Sequence, residues 1–375
     1  MNALKKGKMK VGTITQFLEK WAPLSLQESY DNAGLLVGQA DWECTGVLCC
    51  LDVTEAVLAE AKSKNCNLIV AHHPVIFGGL KRITASSATE RLVATAIKND
   101  LAIYAIHTNL DNILDGVNGK IATLLGLKNC RVLLPQADSL KKLVTYVPVA
   151  SIQKVQNALF EAGAGQVGKY SECSFSSVGE GTFKGGLDTN PYVGQPGIRH
   201  TETESRLEVI LQSSSLSEVL RALRASHPYE EIAYDLLSLD NPNNQVGAGL
   251  VGELKQPVEE SVFLKKLSVL FKVPLVRHTS LIGKPIQQVA VCGGAGQFLI
   301  KNALKAGAQV FITADLKYHD FFLADGKLLL ADVGHFESEQ FTIDLLQERI
   351  AEKFPTFAVL KTSVSTNPVN YLWHK

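Results

Sequence analysis

The chain lacks an excess of either charge: 37 lysines and arginines balance 37 aspartates and glutamates. A clamp on nucleic acid usually shows as a basic surplus or stripe, so a nucleic-acid partner is disfavoured. Nowhere are there about 18 consecutive apolar residues, which argues against a membrane span. The basic start, MNALKKGKMK, is not followed by the apolar stretch of a signal peptide. Met9 is an alternative start, because patterned sequence begins only after it. The seven cysteines form no CxxC pair, sit mostly within apolar segments and are odd in number. They read as reduced thiols of a cytoplasmic protein rather than a disulfide frame. No P-loop, nucleophile elbow or Ser-His-Asp order is present, which disfavours nucleophilic serine or cysteine catalysis.

What is present is ordinary globular material, 46% hydrophobic and 20% charged over 375 residues, enough for two or three domains. From Thr45 to about Leu127 short β-branched runs alternate with helical ones. GVLCCLDV, NLIVAHH and AIYAIH read as strands; TEAVLAEAKSKN, capped by Thr54, SATERLVATAIKND and Gly116 to Leu127 read as helices. This order predicts a parallel sheet covered by helices. The grammar returns in the last third, with strands QQVAVCGG, QVFITAD, KLLLADVGH and FAVLKTSV separated by helices over Gln297 to Ala306, Tyr318 to Ala324 and Glu337 to Lys353. Two related α/β lobes, residues 1–138 and 241–375, are expected to face a shared cleft. Residues 139–240 read differently, as β-α-β-β-α-β, the order of a ferredoxin-like α+β domain inserted into the host and interrupted by the glycine-rich GEGTFKGGLDTNPYVGQPG.

The polar chemistry clusters just past the C-terminal ends of the strands, where open α/β sheets place ligands. Four segments carry it: AHHP (His72, His73), HTNLD (His107, Asp111), TADLKYHD (Asp315, His319, Asp320) and GHFESE (His335, Glu337, Glu339). If a helix begins near His335, Glu339 lies on the same face one turn on; His107 and Asp111 repeat the interval. A lone histidine at a strand end is more often a hydrogen-bonded structural residue. Many ionisable groups at equivalent sheet ends are costly to bury without a counter-charge, which a cation would supply. A purely internal hydrogen-bond network is the alternative. Imidazole mixed with carboxylate, and no nearby cysteine, favours zinc first, then manganese, iron, cobalt or nickel. The neighbours His72 and His73 point to opposite sides of an extended segment, so two adjacent metals would resolve their placement. CGGAGQ offers two readings, anion contact through free backbone N–H groups or close strand-to-helix packing. SHPYEE at Ser226 to Glu231 reads as a helix-to-strand corner. Tyr371 and Trp373 lie on a tail that packs on the body or on another subunit.

SYDNAGLLVG, AHHPVIFGGLKRI, YAIHTNLDN with DGVN, AGAQVFITADLKYHD and DVGHFESEQ together resemble the GTP cyclohydrolase 1 type 2 homologs, the NIF-three-like dinuclear metal centre proteins. The resemblance implies a two-lobed NIF-three-like α/β fold with a PII/CutA-like insertion. It also implies two divalent ions held by His72, His73, Asp111, His335 and Glu339. In that pattern Glu339 bridges the pair, with His73 and Asp111 on one ion and His72 and His335 on the other. His107, Asp315 and His319 would line the site, orienting ligands or moving a proton. A toroidal homohexamer is implied too. Two positions depart from the pattern, Ala314 for a usual glycine and Leu250 for a common arginine. The expected activity is metal-dependent hydrolysis of a nucleotide-like small molecule; a metal carrier or metabolite-sensing regulatory protein is the rival.

Overall fold

Burial shapes the first sheet. Val47–Cys50, Leu68–Ala71 and Ala102–Ala105 are buried along their whole length, as parallel strands covered on both faces must be. In the computed structural model, which describes residues 8–372, these strands are neighbours in a five-stranded sheet. Gly34–Val37 closes one edge, antiparallel to Ala102–Ala105, and Val359–Lys361 closes the other, parallel to Val47–Cys50. The covering helices start where the sequence signals them. Thr54 caps Glu55–Ser63 by accepting from the Val57 N–H, and Ser87 caps Ala88–Lys98 through Glu90.

The second sheet has six strands, in the order Arg277–His278, Leu329–Asp332, Val310–Ala314, Ile286–Ala295, Gly247–Val258 and Lys128–Pro135. Its parallel core is Ile286–Ala295, Val310–Ala314 and Leu329–Asp332. One apolar cluster takes side chains from both sheets, Val47, Leu68 and Ala102 from the first and Val289, Val310 and Leu329 from the second, with Leu18, Phe263 and Leu346 from helices. The two sheets therefore share a single core.

The division of this core departs from the expected one. FAVLKTSV, read as part of the second lobe, returns to the first sheet, where Val359 pairs with Val47. Lys128–Pro135, from the first stretch of chain, joins the second sheet against Gly247–Val258. Each edge strand buries a short apolar part in its new sheet, Val132 and Leu133 in one and Val359 in the other. The expected continuous helix from Glu337 to Lys353 is two helices, His335–Glu339 and Thr342–Lys353, and Tyr318–Ala324 is a 3-10 helix.

Residues 136–243 form a separate compact unit, against the 139–240 read from sequence; residues up to 135 and from 244 form the other. Its strands Leu140–Pro148, Ser174–Lys184, Arg199–Gln212 and Tyr234–Ser238 and helices Ile152–Glu161 and Leu216–Ser226 follow the order β-α-β-β-α-β. The sheet is antiparallel throughout, with Arg199–Gln212 and Leu140–Pro148 in the middle. Val155, Leu159, Val219 and Leu223 of the helices pack on Leu143, Leu207 and Val209. The glycine-rich stretch first continues a strand to Lys184 and then forms the loop of a hairpin. His227 caps the second helix and its Nε2 donates to the Tyr146 carbonyl, so SHPYEE is a structural corner. No described helix is long and apolar enough to cross a membrane.

The chain beyond Val359–Lys361 is tied down by Glu60. Its carboxylate accepts from the Ser363 N–H at 2.9 Å, the Ser363 hydroxyl, the Thr362 hydroxyl and Lys64 Nζ at 2.7 Å. Burial works to raise its pKa, but Lys64, Ser363 and Thr362 outweigh it and hold it at about 2, against an ordinary 4.5. A depressed folded-state pKa stabilises above the unfolded value and is lost as pH falls toward the folded one. Glu60→Ala is therefore expected to cost about 1–3 kcal/mol at pH 7. In urea melts of both proteins that difference should be full at pH 7 and shrink as pH drops from 4.5 toward 2; a difference that grows on acidification contradicts the assignment.

Candidate metal centre

His72 and His73 follow the buried strand Leu68–Ala71 and continue its ladder, their N–H groups donating to Cys50 and Leu51 carbonyls. Alternation sends the two rings to opposite neighbours. His72 Nδ1 donates to the Ile106 carbonyl at 2.8 Å, beyond strand Ala102–Ala105, and His73 Nδ1 donates to Asp52 Oδ1 at 2.7 Å, beyond strand Val47–Cys50. Both rings still reach the same space, 4.9 Å apart.

The same device recurs at two other strand ends. His107 Nδ1 donates to Asp31 Oδ1 at 2.8 Å, and His335 Nδ1 donates to Asp315 Oδ2 at 2.6 Å. With Nδ1 occupied, each imidazole has Nε2 left for a further partner, the arrangement in which a histidine is oriented toward a metal. Asp315 reaches His335 from a left-handed backbone, φ 57°, directly after strand Val310–Ala314.

Glu339 lies at the centre and is 3% exposed. The helix His335–Glu339 sets it one turn from His335, whose Nε2 is 3.1 Å from Oε2. His73 Nε2 lies 3.0 Å from the same oxygen and 3.4 Å from His335 Nε2. On the other side His72 Nε2 is 3.8 Å from Glu339 Oε1 and 3.7 Å from Asp111 Oδ1. The pairing thus differs from the one the resemblance implied: His73 goes with His335, and His72 with Asp111. Strand-end anchoring decides it, since Asp52 draws the His73 ring toward His335 while Ile106 holds the His72 ring on the side of Asp111.

These groups fit a cation. His72 Nε2, Asp111 Oδ1 and Glu339 Oε2 are buried without a hydrogen bond, so the contacts to Oε2 are close approaches lacking hydrogen-bond geometry. Among the described residues, histidine and carboxylate groups that could hold a metal ion meet twice, as His72, His73 and His107 and as His73, His335 and Glu339. The electrostatics point the same way. Burial pushes Glu339 up, yet the imidazoles of His335, His72 and His73 prevail and hold it well below the carboxylate range. Asp111 is pushed up by burial and by Glu339. Burial lowers His72, whereas Asp52 and Glu339 overcome burial to raise His73 to about 9, and Asp315 with Glu339 raises His335 to about 11. A divalent charge here would relieve acids crowded together and replace protons on the imidazoles.

Two cavities flank the cluster. One, of about 590 Å³, is lined by Tyr30, Phe77, His107 and Phe298 together with His73, His335 and Glu339. The other, of about 480 Å³, has Arg277, Asn367 and Tyr371 against His73 and His335. Tyr371 of the tail packs here; Trp373 lies outside the described residues. His319 is exposed and its ring meets Tyr318 and Phe322, away from the cluster. Cys292 is buried in an apolar cluster and also lines the first cavity, with its thiol pushed up by burial and then by Asp111 and Glu339. CGGAGQ does not offer free amides at its two central glycines: Gly293 N–H donates to Asn118 Oδ1 and Gly294 N–H to Ser338 Oγ. Sequence reasoning gave no role to Asp31 and Asp52, although Asp52, next to last in GVLCCLDV, carries the same strand-end signal that singled out the histidines.

An α/β protein with imidazoles and acids converging at the ends of two sheets is the class these features define. The chain belongs to the Duf34/NIF3 (NGG1p interacting factor 3) family, whose model matches residues 9–368. It is 40% identical to a GTP cyclohydrolase 1 type 2 homolog of Halalkalibacterium halodurans over 96% of this chain and 98% of that one. A protein of the same name from Bacillus subtilis is 35% identical over 96% and 98%. Among solved structures it is similar to a Bacillus cereus protein related to NIF3, with TM-score 0.82 and 35% identity over 97% of this chain and 99% of the other.

Glycine makes the centre possible. A Cβ on Gly294, whose φ is +64°, would stand 2.3 Å from Glu339 Oε1. Gly294→Ala is expected to lower stability by about 1–3 kcal/mol through the left-handed backbone and the approach to Glu339 together, read as a drop in melting temperature; an unchanged melt would contradict this conformation and this approach.

Proposed function

We propose that the cluster holds two divalent cations, zinc first among the candidates and manganese, iron, cobalt or nickel after it, and that the protein is a metal-dependent hydrolase of a nucleotide-like small molecule. The observation that carries this reading is that three imidazoles, His72, His73 and His335, each fixed through Nδ1, stand around one buried carboxylate, with the ring of His107, fixed the same way, beside His72 and His73. His72 and Asp111 would hold one ion on the Oε1 side of Glu339, and His73 and His335 the other on the Oε2 side. Such ions supply Lewis-acid polarisation of a substrate oxygen.

The rest belongs to the chain's own side chains. Asp31 accepts from Thr108 N–H and Oγ as well as from His107, and these bonds outweigh burial to hold its carboxyl far below the usual range. A carboxylate so fixed keeps the proton of His107 on Nδ1 and leaves Nε2 to take or give a proton at the substrate. Tyr30, Phe77 and Phe298 give the cavity apolar walls on which a base would stack and from which water would be displaced. The names of the relatives support a nucleotide substrate. The resemblance supports a homohexamer, and seven unpaired cysteines fit a reducing compartment, the cytoplasm.

The rival reading, a carrier or sensor without turnover, has an observation of its own: residues 136–243 enclose a separate cavity. Their β-α-β-β-α-β order supports kinship with PII/CutA-like domains.

Turnover separates the two. Metal-reconstituted protein offered GTP, cyclic nucleotides and phosphodiesters is expected to hydrolyse at least one, with activity abolished by Glu339→Ala; silence across the panel together with ready metal release would favour the carrier. Asp52→Asn, which leaves every proposed ligand in place, is expected to weaken metal binding about 10–100-fold by freeing the His73 ring, as measured by competition with a chelating dye. Unchanged affinity would remove Asp52 from the account.

A further inference from the structure

The sheet of the 136–243 unit has two unequal faces. Along Arg199–Gln212, Leu207, Val209 and Leu211 are buried with the helices. The residues between them face the other way, where no helix of this unit covers the sheet. On that side Tyr146, Glu204 and Arg206 line a cavity of about 680 Å³, within the range of small-molecule sites. Glycine makes the room. Gly179 and Gly181 stand opposite Glu204 and Glu202, and a Cβ on Gly181 would lie 1.9 Å from Glu204 Oε2.

The walls are aromatic and the charge is acidic. Phe183 and Tyr192 each meet Tyr229, with ring centroids 6.1 and 6.2 Å apart. The hairpin loop is drawn across by Asn190 N–H, which donates to Glu230 Oε1 at 3.1 Å. Glu204 is 9% exposed, and its Oε1 accepts from the Tyr229 hydroxyl at 2.8 Å. Its Oε2 has no hydrogen-bond partner among the described residues. Glu180, Glu230 and Glu231 add negative charge; Arg206 is engaged by Glu208 at 2.9 Å, which leaves Lys184 as the remaining cation of the lining.

The geometry points to a second binding site here, for an organic cation of the alkylammonium class. A cation gains from aromatic faces and from a nearly buried carboxylate at once. An anionic ligand such as a nucleotide would meet the acidic excess, and a neutral apolar one would leave the Glu204 carboxylate unmatched. None of these residues belongs to the cluster around Glu339, so the two sites are tested separately.

The test is isothermal titration of the full-length protein with choline and with spermidine at constant ionic strength, with sodium chloride and ATP in parallel. Saturable binding of at least one of the cations, one per chain, is expected. Tyr192→Ala and Glu204→Gln should each weaken it about tenfold or more, with metal content unchanged. Tyr192 is exposed, so its replacement leaves the core intact. No saturable heat from either cation, binding as strong in either variant as in the parent, or ATP bound in preference and lost in the same variants overturns the assignment.

Discussion

A carboxylate buried among imidazoles is the constraint on which the host fold turns. Left alone, the Glu339 charge would cost several kcal/mol in a site this dry. Its surroundings are arranged to prevent that. One helical turn brings His335 to it, the strand end after Leu68–Ala71 brings His72 and His73, and Gly293 and Gly294 withhold side chains so that it can lie against their backbone. The groups come from strand ends of both sheets, so the site exists only while the sheets keep their relation.

That relation is secured by the shared core and the exchange of strands. Val359–Lys361 sits at the edge of the first sheet and Lys128–Pro135 at the edge of the second, so neither half of the host is a continuous stretch of chain. The tail that follows Val359–Lys361 is part of the site's support. Thr366 Oγ donates to Asp52 Oδ2 at 2.7 Å, the carboxylate that fixes His73, and Asn367 Nδ2 donates to Glu337 Oε1 at 2.9 Å. A rigid frame and a second layer of hydrogen bonds are what precise ligand placement requires.

Much of this was legible from residue patterns, because strand ends carry their chemistry locally. The parallel runs, the cap at Thr54, the insertion and the residues His72, His73, His107, Asp111, Asp315, His335 and Glu339 all follow from spacing or from family motifs. What escaped depends on contacts between distant segments. The strand-end position of Asp52 marks it as a candidate but does not say which histidine it will meet, 21 residues away, and Asp31 meets His107 across 76 residues. The pairing of His73 with His335 follows from which neighbouring strand each ring leans on, and FAVLKTSV was misassigned because a short apolar run does not say which sheet it completes.

The 136–243 unit answers to different physics, a sheet with one face under helices and the other shaped by glycines and aromatic rings. The central claim concerns the host, that a pair of divalent cations sits astride Glu339. An anomalous difference map from crystals of the metal-loaded protein tests it most directly. The account predicts two peaks about 3.5–4 Å apart, one beside His72 and Asp111 and one beside His73 and His335; an empty map at these side chains, or a single ion bound elsewhere, would contradict it.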